Sequence, residues 1–475
     1  MGDIVTPATA SEDPRLIYDI YRSHNTGLRI HTDTTIQAAL LSQYPSHSLT
    51  STTCDLIKYA HAGHAIATLH EDLHPTMRSW AFEPTARQPL DGSAAGRLTD
   101  TILFGRFDYV WRGHTFQIFV VDGQNSPGQC ERRCYLLSPP AVEGEKGQRG
   151  IEAMEALVLA ASLWSAESHD EVWVYDQGRW SKDKELWRMV QGGSWQDLIM
   201  DEDTKRAIMT DVMGFFDARE TYAEFGTPWK RGLIFHGSPG NGKTTIAKAL
   251  MKFLMARPKP VTTLVIKTLA QRSGPQMSVR QIFTKARQTA PCLLLFEDVD
   301  SLVTDQVRSY FLNEVDGLEN NEGILMIGST NNRRVPPLES KTSPTWLETS
   351  KGADGTTVDK LDPGLSKRPS RFDRKYRFNN PSFEERVRYC EYWSEKLSSK
   401  PAATTPSTLP HRIASITDGF SFAYLKEAYV ASLLRLVQDS AEDVAPAEEE
   451  GESEWGRFGT LLQRQVAVLR EDIAE

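Results

Sequence analysis

The residues with the clearest chemical meaning are Gly237-Ser238-Pro239-Gly240-Asn241-Gly242-Lys243-Thr244. They follow the short apolar run Gly232 to His236 and precede Thr245 to Met251, which reads as a helix. Strand, glycine-rich turn and helix N-terminus form the context in which successive backbone N–H groups can converge on phosphate oxygens. The helix dipole favours negative charge at the same place, so Thr245 at the start of the helix counts with the loop. Lys243 would reach the β- and γ-phosphates of a nucleotide, and Thr244 would offer its hydroxyl to Mg²⁺. The bland alternative, a glycine-rich turn with a surface lysine, leaves the flanking strand and helix without a purpose.

Downstream, Leu293 to Phe296 is an apolar strand that ends in Glu297-Asp298. Phosphoanhydride hydrolysis needs one carboxylate on the metal side and one group to orient the attacking water. An acid pair at the carboxyl end of the strand beside the phosphate loop can do both. Asn331 ends the next apolar run and can touch the γ-phosphate or the water. Arg368 and Arg371 flank Pro369-Ser370 ahead of Phe372-Asp373-Arg374. Two arginines near each other, yet far along the chain from the loop, suit a site completed by a second subunit.

The elements that must hold these groups are four apolar runs, Leu233–Phe235, 263–266, 292–296 and 324–327, separated by helical stretches such as 278–289. This spacing predicts a doubly wound parallel α/β sheet, with nucleotide at the carboxyl ends of its strands. Asp203 is expected to cap a helix that runs through Met213 to Phe216.

A chain of 475 residues has room for roughly two to four domains. The formal net charge of −9 gives no reason to expect nucleic acid as a partner. Five cysteines are too few for a disulfide framework, which fits a reducing compartment. No stretch reaches the roughly 18 consecutive apolar residues of a membrane-spanning helix, so no transmembrane anchor is expected. The acidic, base-poor N-terminus reads as neither a secretory signal nor a mitochondrial presequence, although Met1-Gly2 to Thr6 fits a loose N-myristoylation pattern.

Residues 1–97 are weakly patterned, with helices expected near Asp33–Leu41 and Asp55–Leu69. His61, His64, His70 and His74 cluster there, but solvated helix surface explains them better than a metal site. Residues 98–190 read as an α+β domain. Ile102, Phe104, Phe107, Tyr109 and Trp111 approach strand alternation with a bulge at Gly105, and Phe116, Ile118 and Val120 alternate cleanly. Strands at 133–137 and 171–175 and a helix at 150–164 complete this region, and no catalytic constellation is found in it.

Taken together, Gly237–Thr244, the Glu297-Asp298 pair, Phe311 to Leu318, Thr330-Asn331, Leu361 to Leu365 and Arg371 to Arg374 resemble the AAA ATPase family. Thr417 to Ala423 resembles the Gly-Phe-Ser segment of that family's helical lid. The resemblance covers roughly residues 194–440. It implies a P-loop AAA domain at 191–378 and a lid at 379–440. Behind the lid, the charge pattern reads as an acidic linker at 441–454, and Phe458, Leu462, Val466, Leu469 and Ile473 recur at the spacing of an amphipathic helix at 455–475. The resemblance also implies roles: ATP on Gly237 to Thr245, Mg²⁺ near Thr244 and Glu297, Asp298 as the water-activating acid, Asn331 as γ-phosphate sensor, Arg368 and Arg371 as fingers for a neighbour's ATP.

Within the family the chain is similar to the group of the mitochondrial complex III assembly chaperone, which translocates the Rieske protein. Three features carry this likeness: the stretch Trp195 to Gly232, the acid order Glu297-Asp298 where most members have Asp then Glu, and Gln271 to Gly274 where threading unfoldases carry an aromatic pore residue. The chain departs from the group by lacking a spanning helix, by a long insertion at 332–360, and by an N-terminal 190 residues with limited likeness. The resemblance thus implies an Mg²⁺-dependent ATP hydrolase that forms a homo-oligomeric ring, hexamer or heptamer, and remodels a protein client. The alternative is a nucleotide-gated assembly module with slow hydrolysis. A cytoplasmic location is expected, and mitochondrial association rests on the resemblance alone.

Overall fold

A computed structural model describes residues 32–70, 76–84, 96–126, 129–139, 148–195, 198–316, 320–331, 372–398, 406–441 and 455–474. Gly2, His74, Arg368, Arg371, the 332–360 insertion and the 442–454 acidic run lie outside these residues. By contacts the chain divides into two compact units, Met1–Glu167 and Ser168–Glu475.

The first unit is built on an antiparallel sheet. It contains α1 (Thr32–Gln43), β1 (Ser48–Thr52), α2 (Leu56–Tyr59), β2 (Ile66–Leu69), β3 (Met77–Pro84), β4 (Gly96–Trp111), β5 (His114–Ser126), β6 (Gln129–Ser138) and α3 (Gln148–Ala166). The strands run in the order β1-β6-β5-β4-β2, with β3 also paired to β4. Period-two alternation gives the sheet two apolar faces. Phe116, Ile118 and Val120 pack with Met154, Leu157 and Ala161 of α3, and Phe119 and Val121 pack with Leu40 of α1.

Two details differ from expectation. The irregularity in β4 lies where Met77 pairs with Phe104 but Arg78 with Ile102, so the extra residue is Leu103 and not Gly105. It lets Ile102 join the α3 side while Phe104 joins the α1 side. The expected helix over 55–69 is only α2, one irregular turn at Ala60–His64, then β2, which pairs with Tyr109 and its neighbours in β4. Gly63, at φ 87, breaks the helix. His64 stacks on Tyr59 and meets Trp164 edge-on, and His70 bonds Asp108 at 3.1 Å. Among the described residues no group of three potential ligands is placed to hold a metal.

The second unit opens with β7 (Val172–Asp176), β8 (Arg179–Asp183), α4 (Lys184–Gln191), α5 (Glu202–Asp217) and α6 (Arg219–Glu224). It continues with β9 (Lys230–Gly237), α7 (Lys243–Met255), β10 (Thr262–Ile266), α8 (Pro275–Thr289), β11 (Cys292–Phe296), α9 (Val299–Leu302), α10 (Asp305–Asp316), β12 (Ile324–Thr330) and β13 (Arg374–Phe378). The sheet order is β13-β9-β12-β11-β10-β7-β8, parallel except for the β7–β8 hairpin. The four apolar runs expected to form a parallel sheet are therefore its centre, in a sheet of seven strands among the described residues. β7, expected in the 98–190 region, pairs in parallel with β10 through Val174↔Val265 and Tyr175↔Ile266. By contacts β7 and β8 accordingly belong to the second unit, Ser168–Glu475. β13 was missed because its Arg-Lys-Tyr-Arg-Phe sequence lacks an apolar run.

Helices cover both faces of this sheet, which is why its central strands are continuous apolar runs. Along β11, Leu293 and Leu295 face Ile246, Leu250, Ile208 and Val212, whereas Cys292, Leu294 and Phe296 face Ile282, Phe283 and Phe311. Each such fully buried side chain contributes about 1.5–3 kcal/mol of hydrophobic stabilisation before entropy is counted. Helix α5 is capped by Asp201, whose carboxylate accepts from Thr204 N at 2.8 Å. Asp203, the expected cap, lies inside the helix and pairs with Arg206.

After β13, the described helices form a separate apolar core. They are α11 (Phe383–Leu397), α12 (Leu409–Ile416), α13 (Phe422–Ala441) and α14 (Gly456–Ala474). Ser382 and Glu385 form a reciprocal capping box that starts α11. Phe458, Leu462, Val466 and Leu469 of α14 bury themselves against Leu409, Phe420, Tyr429 and Leu436. The C-terminal amphipathic helix thus closes the helical subdomain.

Candidate active site

The phosphate loop is shaped by two close approaches. Gly237 ends β9 at φ 145, and a Cβ there would stand 2.1 Å from the Phe378 carbonyl oxygen of β13. Gly240, at φ 80, would put a Cβ 2.5 Å from that of Ala423. Side chains are excluded at both points, so backbone N–H groups line the turn. Gly242, in the left-handed region, then starts α7, and Ile246 N closes the first turn onto Gly242 O at 2.9 Å.

Lys243 is buried, and its ammonium donates to Gly237 O at 2.8 Å and Ser238 O at 3.0 Å. Burial pushes its pKa down, and the nearby carboxylates of Asp298 and Asp300 oppose that shift. A desolvated ammonium held by two carbonyls is poised to exchange them for phosphate oxygens, whose charge would satisfy it far better. Thr244 and Thr245 are exposed to the same cavity, which measures about 570 Å³.

The acid strand does not lie beside β9 as expected. β12 stands between them, pairing in parallel with β9 through Ile327↔Leu233 and with β11 through Leu295↔Ile327. Hence Ser329 and Asn331, leaving β12, sit between the phosphate loop and the acids. Asp298 is exposed at φ 51, its backbone N–H donates to Ser329 Oγ at 3.1 Å, and its Oδ1 accepts from Asn331 Nδ2 at 3.0 Å. Aspartate tolerates this left-handed conformation better than most residues. Val299, fully buried, anchors the turn that follows. Glu297 is half-buried and lines the cavity.

The fit of a divalent cation rests on oxygen donors. The Thr244 hydroxyl and the Glu297 carboxylate face one cavity, and Asp300 Oδ1 is buried without a hydrogen-bond partner among the described residues. Thr244 and Glu297 suit Mg²⁺, whereas Asp300 lies near Lys243 and is not among the residues that line the cavity.

The far wall of the cavity was missed. Tyr389, Tyr392, Trp393 and Lys396 come from α11, Phe422 and Lys426 from α13, and Leu198 and Ile199 from the segment before α5. Lys396 lies over the rings of Trp393 and Tyr392 at 5.1 and 5.7 Å. An aromatic and aliphatic wall opposite a phosphate cradle suits a nucleotide base.

Fold and site together define a P-loop nucleotide-binding domain with a helical subdomain over its mouth. Residues 233–342 match the sequence profile of the "ATPase family associated with various cellular activities (AAA)". The chain carries an AAA ATPase domain, and the parallel sheet with its flanking helices is the P-loop AAA fold, preceded by an α+β region. That domain implies ATP binding and ATP-dependent activity. None of the described helices is long and apolar enough to cross a membrane.

Proposed function

We propose that this chain hydrolyses ATP to ADP and phosphate with Mg²⁺, and that it does so as a ring-forming remodeller of a protein client. The observation that carries the hydrolytic reading is the placement of Asp298, between Ser329 and Asn331 at the mouth of the Gly237–Thr244 loop. The loop amides and Lys243 would bind the β- and γ-phosphates. Thr244 and Glu297 would hold Mg²⁺, which neutralises charge building up on the phosphate oxygens. Asp298 would take the proton of the attacking water, and Asn331 would keep its carboxylate aimed. Arg368 and Arg371 are proposed to reach a neighbour's ATP. The likeness to the complex III assembly chaperone group, carried by Glu297-Asp298 and Trp195 to Gly232, supports an α+β region that engages the client.

Phosphate release tests this reading. The purified chain should turn over at roughly 1 s⁻¹ or faster, and Lys243→Ala or Asp298→Asn should abolish release. Light scattering in ATP and Mg²⁺ should show a hexamer or heptamer, and a monomer would remove the trans-arginine step.

A second reading is favoured by one contact. The Asp298 carboxylate is already engaged by Asn331, and Asp is one methylene shorter than the Glu usual at this place. A nucleotide-gated assembly module with slow hydrolysis would have these features. Turnover many-fold below the remodeller's range would select it.

A further inference from the structure

Lys243 aside, the side chain in the phosphate loop with the most partners is Asn241, which is buried. Its Nδ2 donates to Asn380 Oδ1 at 2.9 Å, and its Oδ1 accepts from Phe422 N at 3.4 Å. Asn380 in turn donates from Nδ2 to Gly419 O at 2.7 Å. Beside it, Gly240 O accepts from Ala423 N at 3.1 Å. The loop is therefore bonded to the helical subdomain at two places: the short segment between β13 and α11, and the turn that starts α13.

Those two places are fastened to each other. Buried Arg386 donates from Nη1 to Pro381 O at 2.9 Å and from Nε to Ala414 O at 3.2 Å, and its Nη2 pairs with Asp418 at 3.2 Å. The segment and the turn thus move as one body. On that body stand the aromatic residues that wall the cavity, Tyr389, Tyr392 and Trp393 on α11 and Phe422 on α13. Either neighbour of Asn241 is a glycine with positive φ, so the peptide that carries Asn241 can turn when phosphates bind.

We propose that Asn241 and Asn380 are positioning residues: their amide pair transmits the phosphate state of the Gly237–Thr244 loop to the seat of the helical subdomain, and so sets the aromatic wall against the base. This rests on the reading of the cavity as an ATP site. A β- or γ-phosphate that reorients the loop amides displaces the Asn241 side chain. Because Asn241 holds both Asn380 and Phe422, that displacement reaches the wall directly, in addition to the covalent path through β13. Asn380 touches no nucleotide in this scheme and acts only through Asn241.

The test compares ADP with a non-hydrolysable ATP analogue, each with Mg²⁺, on the full chain. Trp393 emission reports the wall, and the Trp393→Phe variant identifies its share of the signal. Calorimetry measures binding of both ligands. In the unsubstituted chain the two ligands should give different Trp393 emission. Asn380→Ala and Asn241→Ser cut the same bond from opposite ends. Each should erase that difference while both ligands still bind, weakened by roughly 3- to 10-fold. The double variant should be no worse than the more affected single one. If both variants bind ligand and keep the difference, or if their effects simply add, the relay is wrong. Equal Trp393 emission in the unsubstituted chain with both ligands bound also overturns it. Failure of the unsubstituted chain to bind either ligand would instead overturn the ATP-site reading. A far-ultraviolet circular dichroism melt identifies a variant that has failed to fold, and the other variant then decides.

Discussion

The Nδ2 of Asn331 donates to Oδ1 of Asp298 at 3.0 Å, across the carboxyl ends of β12 and β11. Asp298 is exposed and follows directly on the half-buried Glu297; this bond holds its side chain, and the Ser329 hydroxyl anchors its backbone N–H. A general base must be held in one orientation to act. Asn331→Ala should therefore lower phosphate release by roughly 10- to 100-fold, with ATP affinity changed only a few-fold. Single-turnover kinetics with parallel calorimetry measure both. Faster release in Asn331→Ala would mean that the bond holds Asp298 back, which is the behaviour of a gated module.

Gly237→Ala should be far more damaging than its size suggests. The new methyl would meet the Phe378 carbonyl, and the backbone sits at φ 145. Loss of about 3 kcal/mol or more is expected from strain and steric conflict, together with loss of ATP binding. Gly226→Ala provides the control, since its φ of +59 carries strain but no atom lies within 4 Å. That variant should cost about 1 kcal/mol. Urea midpoints of the two variants decide it.

His236, the residue before Gly237, imposes an acid limit. It is buried, and burial, followed by the charges of Arg377, Lys375 and Lys243, pushes its pKa down to about 4. Unfolded, the same imidazole takes up its proton near pH 6.5. Between these values the unfolded chain binds more protons, so stability rises with pH across the window and is lost as pH falls from about 6.5 toward 4. The contribution is on the order of 3 kcal/mol. Denaturation of His236→Leu at pH 7.5 and pH 5 should show a shallower acid loss than the unsubstituted chain, whatever the variant's stability at neutral pH.

Much of the site was legible because phosphate binding is local chemistry. The glycines, Lys243 and Thr244 stand in one short loop, and the apolar strand that ends in Glu297-Asp298 carries its signal within a few residues. The cavity wall was not legible, because Trp393 and Tyr392 read along the chain as two more apolar positions on an amphipathic helix. Their exposure to a cavity depends on where α11 seats against the loop. β13 escaped the pattern because its edge sequence is polar, whereas β7 was legible as a strand and only its place in the second sheet, set by long-range pairing with β10, was not.

By itself, then, the sequence determined the phosphate loop, the acids, the doubly wound fold and the amphipathic helix from Phe458 to Leu469, since each rests on residue type and near-neighbour spacing. The tertiary structure alone decided that β12 lies between β9 and β11, which carries Asn331 to Asp298, and that Asn241 finds Asn380. Strand order and side-chain pairing across more than a hundred residues are set by how layers pack, and no local pattern encodes that.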